Sequence, residues 1–377
     1  MMFYNSCLTP ALIEVFVFLY SLMMKIMEYK KLVIYYFSGT GNARNVSHWI
    51  KDIAEKREIE SEVIDISKLK TRKNIKLPKD ALIGFCSPTH GFNFPPIMFH
   101  FLLRFPRSKN NSCFIMNTRA GMKAGKIFLP GLSGMVQYFS AIILKFKGFR
   151  IRAMQPVDLP SNWISFHPGL KPTVVDSIYS KRKRETERFA QQLLNGKRSF
   201  KGLYTLLIDI LITPVAFAYY IVGRFVLAKS FYATRDCTMC KLCIQKCPIQ
   251  AIKIVDDRPF WTYTCESCMQ CMNICPERAI ETAHGFVFAA YFLIKFYLLV
   301  KIYDLLQINS ILEKCFSGWL NNTLRFFINA SFIILLFIIS YRVFHYFLKF
   351  KLFERLVVYT SLTRWKFWRR YKIENRY

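Results

Sequence analysis

Acidic side chains are the scarce class in this chain. Only 24 Asp and Glu stand against 54 Lys and Arg, a formal charge of +30. That shortage, with 16% aromatic residues, leaves a negatively charged partner to be named: nucleic acid or an anionic membrane surface. Other absences narrow the chemistry. The loop Ser38–Asn45, SGTGNARN, is not followed by Gly-Lys-Ser/Thr, which excludes a nucleotide P-loop. It has Gly39 and Gly41, but Arg44 stands where a dinucleotide fingerprint needs its third glycine. The apolar stretch Leu8–Met27 lacks a basic leading region and a small-residue cleavage site, so a signal peptide is not evident. His90 and His167 have no catalytic partner beside them in sequence.

What the chain does have is concentrated in Cys237–Pro276. Eight of its 12 cysteines fall there, in two runs of identical spacing. The first is Cys237, Cys240, Cys243, Cys247, then Pro248; the second is Cys265, Cys268, Cys271, Cys275, then Pro276. Three thiols two residues apart wrap a tight loop around three iron corners of one cubane. The fourth, just before proline, starts a segment leading away and ligates the other cubane. The expectation is one [4Fe–4S] cluster on Cys237, Cys240, Cys243 and Cys275, and a second on Cys265, Cys268, Cys271 and Cys247. A zinc site needs only four ligands. Disulfides need an oxidising compartment and more room than these spacings give. Of the other cysteines, Cys7, Cys86, Cys113 and Cys315, most sit in apolar surroundings and read as small buried hydrophobes.

The double run resembles a bacterial two-[4Fe–4S] ferredoxin. Ile249–Ile254 and Arg278–Glu281 match the short segments that follow each Cys-Pro in that family.

Upstream, Lys31–Phe37 is a short apolar, aromatic run that reads as a buried first strand. The Gly/Ser/Thr loop and a helix to about Lys56 follow it. Strand, loop and helix start together form an anion site, where backbone N–H groups and hydroxyls face a phosphate. Further strands are expected at Ser61–Ile66, Ala81–Phe85, Ser112–Asn117 and Arg150–Met154. Helices are expected at Pro96–Leu103, about Gly125–Lys147 and about Val174–Asn195. Five strands with crossover helices predict an α/β doubly wound parallel sheet. Its ligand would lie at the carboxyl ends of the strands.

The strand-SGTGNAR element resembles the FMN phosphate loop of flavodoxins. Ser38, Thr40, Gly41 and Asn42 match it, and Ala43 replaces the final hydroxyl. SPTHGF and NTRAG resemble the second and third flavin loops. The resemblance implies FMN contacts from Pro88, Thr89, His90 and Gly91, and from Asn117, Thr118 and Gly121. His90 and Phe92 would lie against the isoalloxazine ring. The order of domains resembles a family of bacterial and archaeal flavodoxin–ferredoxin fusions, over about Met27 to Gly285. Pro160, Asn162 and Trp163 match a Pro-x-Asn-Trp element of that family, as a flavin-edge loop or a structural turn.

The expected segments are 1–26, 27–200 (flavodoxin-like), 201–233 (linker helices), 234–285 (small α+β ferredoxin) and 286–377 (membrane hairpin and basic tail). The first stands open as a membrane helix or as an overcalled start ahead of Met27. Lys181–Arg188 reads as a solvated helix face. Gly202–Phe231 is apolar but split by Asp209 and Pro214, which favours linker helices or a surface-lying helix.

Phe286–Tyr303 and Phe326–Tyr341 are apolar apart from Lys295, Lys301 and Asn329, and approach the ~20 residues of a membrane span. The tail Lys349–Arg376 is rich in Lys and Arg, so positive-inside logic predicts a cytoplasmic tail and, across two spans, a cytoplasmic ferredoxin. These apolar runs favour membrane lipid over nucleic acid as the basic chain's partner. The expected function is electron transfer between FMN and two [4Fe–4S] clusters, to or from a redox partner protein or a quinone. The rival is a flavin-dependent reductase of a small substrate, with the clusters as an internal relay.

Overall fold

The computed structural model describes residues 29–69, 75–368 and 370. Leu8–Met27 lies outside them. The first layer is a parallel sheet. Its strands are β1 (Lys31–Tyr36), β2 (Glu60–Asp65), β3 (Ala81–Pro88), β4 (Ser112–Ala124) and β6 (Arg150–Pro160), in the order β2-β1-β3-β4-β6. That is the doubly wound, flavodoxin-like order, with its switch point between β1 and β3. A short β5 (Ile127–Leu129) adds an antiparallel hairpin to the end of β4.

Apolar residues alternate between two cores, as period-two strands covered on both faces require. Leu32, Ile34 and Tyr36 of β1 pack under α1 (Asn42–Glu55) and α4 (Pro172–Leu194). Val33, Tyr35 and Phe37 pack under α2 (Pro96–Arg104) and α3 (Val136–Phe146). Cys86 and Cys113 are buried in these cores, whereas Cys315 is exposed.

The helix expected over Gly125–Lys147 begins only at Val136. Gly125 takes a positive φ of 57° to close the β4–β5 hairpin, and Pro130 and Gly131 keep the chain irregular until Met135. Strands β3, β4 and β6 run beyond their expected ends. Their extra residues form the rim that carries the site.

Residues 201–228 are a bent helix pair, α5 (Lys201–Leu211) and α6 (Thr213–Ala228), meeting at 78°. The ferredoxin-type domain follows. β7 (Phe231–Ala233) pairs with β10 (Ile280–Thr282), β8 (Ile252–Val255) pairs with β9 (Arg258–Trp261), and one-turn helices follow each thiol loop.

Two helices in the C-terminal region are long and apolar enough to cross a membrane: α9 (His284–Leu305) and α11 (Gly318–Phe347). At 1.5 Å per residue they measure about 33 and 45 Å, against about 30 Å of hydrocarbon. Joined through α10 (Ile308–Cys315), they form a hairpin that leaves the ferredoxin at His284 and returns to it. Lys295, the charge within the first of them, donates to the Tyr291 hydroxyl at 3.0 Å and lies over the Tyr291 and Phe296 rings.

The last turns of α11 pack against the ferredoxin-type domain. Tyr341, Phe344 and Leu348 pack on Tyr232 and Ala283. The Tyr341 hydroxyl donates to the Phe231 carbonyl at 2.9 Å, and His345 Nε2 lies 2.9 Å from the Val255 carbonyl. Beyond α11 the chain wraps back. Glu354 is buried and accepts from the Arg235 backbone N–H at 2.7 Å and from the Arg235 guanidinium. Trp368 Nε1 donates to the Ile164 carbonyl at 2.5 Å, and Arg370 pairs with buried Glu281 at 2.7 Å. The segment expected as a separate hairpin and tail is thus stitched to both upstream domains.

Candidate functional site

The loop after β1 leads into α1 through Gly41, whose φ is 101°, a value only glycine adopts without strain. The Gly41 N–H donates to Ser38 Oγ at 3.0 Å. No side chain caps α1, so its first N–H groups stay directed at the loop, the arrangement that receives a phosphate. Ala43 is fully buried in the core, and this explains why no hydroxyl stands there. The Asn42 side chain is engaged by the fold: its amide donates to the Pro160 carbonyl at 3.1 Å and its oxygen accepts from Tyr179. Asn42 therefore offers its backbone to a ligand and uses its side chain to fix the end of β6.

A cavity of about 220 Å³ adjoins this loop, lined by Ser38, Thr40, Asn42, Pro88, Thr89, His90, Gly91 and Thr118. These are most of the residues expected from the flavodoxin resemblance. Asn117 stands one layer behind: its amide donates to Thr89 Oγ1 at 2.8 Å, and its oxygen accepts from Gln137 at 2.6 Å. Gly121 does not line the cavity. A side chain there would meet the Asp158 backbone at 2.8 Å, so it serves the close β4–β6 pairing.

The Asn162–Trp163 element closes the cavity from the β6 side. Asn162 donates to Thr40 Oγ1, and the Trp163 ring stacks on His90 at 6.3 Å. Burial holds His90 neutral, its pKa lowered to about 4. Its Nδ1 is buried with no hydrogen-bond partner among the described residues. An uncapped helix start beside Ser38 and Thr40 fits a phosphate ester, and the buried, unpartnered nitrogen of His90 fits a polar ring edge.

Sequence reasoning paired His167 with nothing; here its Nε2 lies 2.7 Å from Ser161 Oγ, and both line the cavity. It also missed Arg119, whose buried guanidinium donates to Asp158 at 2.6 Å beside the cavity. No local pattern marks that pair, because its partners sit on different strands.

The thiols separate into two sets. Cys237, Cys240 and Cys243 of the first run share a recess with Cys275 of the second. Cys265, Cys268 and Cys271 have Cys247 of the first run as an electrostatic neighbour. Each set is therefore three thiols from one run and the pre-proline thiol of the other. Among the described residues no three His, Cys, Asp or Glu side chains converge on a single ion; the thiols of the first set stand around a recess.

In the second set Cys271 is buried and Cys247, Cys265 and Cys268 are half-buried. Burial pushes Cys265 up to about 12 and raises Cys268 and Cys271 further, so bare thiols there resist ionisation. Binding of metal must supply the compensating charge, which couples loading to folding.

The two halves of the molecule meet at this set. Cys268 lines the cavity itself. A Cβ added to Gly39 of the phosphate loop would lie 2.4 Å from the Cys268 Cβ. Trp163 Nε1 donates to the Ser267 carbonyl at 3.0 Å, and the Ile97 N–H donates to Glu266 at 2.8 Å. A wider cleft of about 1170 Å³ opens on the other side of the loop, bounded by Arg44, Lys68 and Cys247–Gln250.

Residues 236–280 match the family model of the 4Fe–4S dicluster domain. This stretch is a ferredoxin-type 4Fe–4S domain. No curated protein matches the chain. Among solved structures it is similar to rubredoxin oxygen:oxidoreductase from Desulfovibrio gigas, at 15% identity over 47% of this chain and 40% of that one, TM-score 0.28. It is similar to a flavodiiron core from Synechocystis, at 15% identity over 50% and 42%, TM-score 0.28. A flavodoxin from the domain Archaea aligns at 18% identity over 43% and 97%, TM-score 0.27. The match thus spans about two fifths of the first two structures' own lengths. The flavodoxin-like description of the sheet stands on its strand order.

Proposed function

We propose that the chain is a membrane-attached iron–sulfur flavoprotein that passes electrons between FMN and two [4Fe–4S] clusters, to or from a redox partner protein or a quinone. The observation that carries this reading is the close approach of Gly39 to Cys268, which would set the phosphate loop against a cluster thiol. Ser38, Thr40, Gly41 and the start of α1 would hold the phosphate. His90, Gly91, Trp163 and Thr118 would border the ring. Cys265, Cys268, Cys271 and Cys247 would hold the inner cluster; Cys237, Cys240, Cys243 and Cys275 would hold the outer one. FMN supplies exchange between two-electron and one-electron transfer, and the clusters supply one-electron steps. The protein's part is to hold the cavity against the inner set, exclude water with Trp163 and keep His90 neutral.

Membrane attachment is read from α9 and α11. The basic segment after α11 and the intracellular preference of iron–sulfur chemistry support a cytoplasmic redox body. The test is purification in detergent with iron, sulfide and flavin quantification and a redox titration followed by absorption and paramagnetic resonance. About eight iron and one FMN per chain, with both centres reducible, is the expected result. Absence of flavin from folded, iron-loaded protein overturns the FMN half.

One observation favours a second reading. Ser161 and His167 form a hydrogen-bonded pair on the cavity wall, a proton source for a small substrate reduced over the flavin. In that case His167→Asn abolishes turnover with the substrate while leaving reduction of the clusters by flavin unchanged.

A further inference from the structure

The bent pair α5–α6 is the feature that the proposed electron path does not use. From Gly202 to Gly223 only one residue is charged, Asp209. Asp209 is fully buried and turned into the protein, where it accepts from the Gly134 N–H at 2.7 Å, the Tyr138 hydroxyl at 3.0 Å and the Thr205 hydroxyl at 2.7 Å. The opposite face is apolar and bare. Leu207 is 78% exposed and Leu211 79%, with Ile208, Ile210, Val215 and Phe217 about half exposed. On α3, Ile142 lies one helical turn from Tyr138 and is exposed, as is Phe146 at the end of the same helix. An uncharged face of this size on a soluble surface marks an interaction site.

The geometry selects its partner. At 1.5 Å per residue α5 is about 16 Å long and α6 about 24 Å, so neither crosses about 30 Å of hydrocarbon, and a 78° bend prevents them from doing so in series. Pro214, which has no N–H, stands at the break, and hydrogen bonds span it. The Ile212 N–H donates to the Ile208 carbonyl and the Ala216 N–H to the Ile212 carbonyl, both at 3.0 Å; the Thr213 hydroxyl donates to the Asp209 carbonyl. Satisfaction of every backbone group is the condition for entering lipid. The C-terminal half of α6 touches α11, and Val226 packs into the cluster formed by Ala290, Ile294 and Phe337 of the two long helices. The same helix that carries part of the bare face thus docks at its C-terminal end on α9 and α11. Lys145, beside Ile142 and Phe146 on α3, and Lys197, Arg198 and Lys201, just ahead of and at the start of α5, are exposed, a charge pattern that suits anionic headgroups.

We propose that α5–α6 is a third membrane element, a re-entrant hairpin that dips into the leaflet facing the redox body and returns without crossing. This rests on the membrane reading of α9 and α11. It gives the hairpin's inner face a role as well. Tyr219 of α6 packs against Gly91, where an added Cβ would lie 2.1 Å from its ring, and against Trp163 at 5.5 Å. The floor of the flavin cavity is therefore set by a lipid-embedded helix, which fixes the height of the cavity above the membrane.

The test places a photo-crosslinking aryl ketone residue at Leu207 or Leu211 in the full chain, reconstituted in bilayers of phosphatidylethanolamine and phosphatidylglycerol. Phe296, exposed on α9, serves as the membrane reference and Lys253, exposed on β8, as the aqueous one. The expected result is lipid adducts at 207 and 211 in yield comparable to 296, with none at 253. Lipid adducts at 296 but not at 207 or 211 overturn the hairpin and leave the membrane reading standing. Adducts of 207 or 211 to another polypeptide overturn it in favour of a protein partner. No adducts at 296 remove the membrane reading and this inference together.

Discussion

The two cysteine runs have the same spacing and different surroundings. The first set of thiols opens outward at Cys240, which is exposed, whereas no thiol of the second set is; one thiol of each set, Cys243 and Cys271, is buried and the others are half-buried. The second set is enclosed by the flavodoxin-like domain through Gly39, Trp163 and Ile97, and by α11 through Tyr341. A buried lysine sits beside it: Lys229 donates to the Trp261 carbonyl at 2.6 Å, near Cys265, and burial lowers its pKa to about 8. Identical ligand loops thus acquire different surroundings from what is packed against them. In the proposed path the enclosed set would exchange electrons with the flavin, and the open set with the redox partner. Potential follows such surroundings, through charge, hydrogen bonds and exposure.

The comparison can be broken most severely at the thiol that crosses between runs. Cys247→Ala should remove the enclosed cluster and leave the open one, as read by paramagnetic resonance of the reduced protein and by iron content. Cys275→Ala should do the reverse. Loss of the cluster in the same run as the substituted cysteine would show that ligation is not crossed.

Next in size is an acid effect confined to the enclosed side. His90 takes up a proton near 6.5 when unfolded but near 4 in the folded protein. The unfolded state therefore binds more protons in this window, and stability falls as pH drops from 6.5 to 4, by about 3 kcal/mol at 1.36 kcal/mol per pH unit. Thermal denaturation across this range should flatten in His90→Gln relative to wild type. An unchanged slope would mean that His90 is solvated. Thr40→Ala should weaken FMN binding by about 1.5–3 kcal/mol, the worth of a hydrogen bond to a charged group. Fluorescence titration reads it, and the spectrum of the open cluster should not move. Gly39→Ala is expected to cost about 1–3 kcal/mol through overpacking against Cys268. It should slow flavin-to-cluster transfer in stopped-flow while sparing the reduction of the open cluster by external dithionite. Equal effects on both clusters would erase the distinction between them.

Much of this was legible because it is local. The cysteine spacing and the strand-loop-helix of Lys31–Glu55 are encoded within a few residues, so a short stretch states the whole constraint. The loop of glycines and hydroxyls after β1 is legible from its own residues, and so is the place of His90 in the loop after β3. What was illegible is long-range. Asp209 reads as an interruption of an apolar run, and only the fold shows it turned toward Gly134 and Tyr138. Glu354 and Trp368 read as part of a basic tail, yet they anchor to Arg235 and Ile164. The helix expected from Gly125 lost to Pro130 and Gly131, a breaker pair that an apolar pattern on both sides had masked.

The wrap from Lys349 to Arg370 has a consequence in time. It closes over Tyr232, Glu281 and Ile164, all of which are synthesised earlier. At about 5–20 residues per second, the ribosome needs roughly 5–20 s to make the chain that follows Gly285. Throughout that interval the ferredoxin-type domain exists in the nascent protein without the contacts of the wrap to Tyr232 and Glu281. Iron and sulfide delivered then meet an open domain; delivered later, they meet a latched one. Ribosome-bound chains stalled before Lys349 should therefore accept clusters faster than the finished apoprotein, and equal rates would show that the latch does not gate maturation.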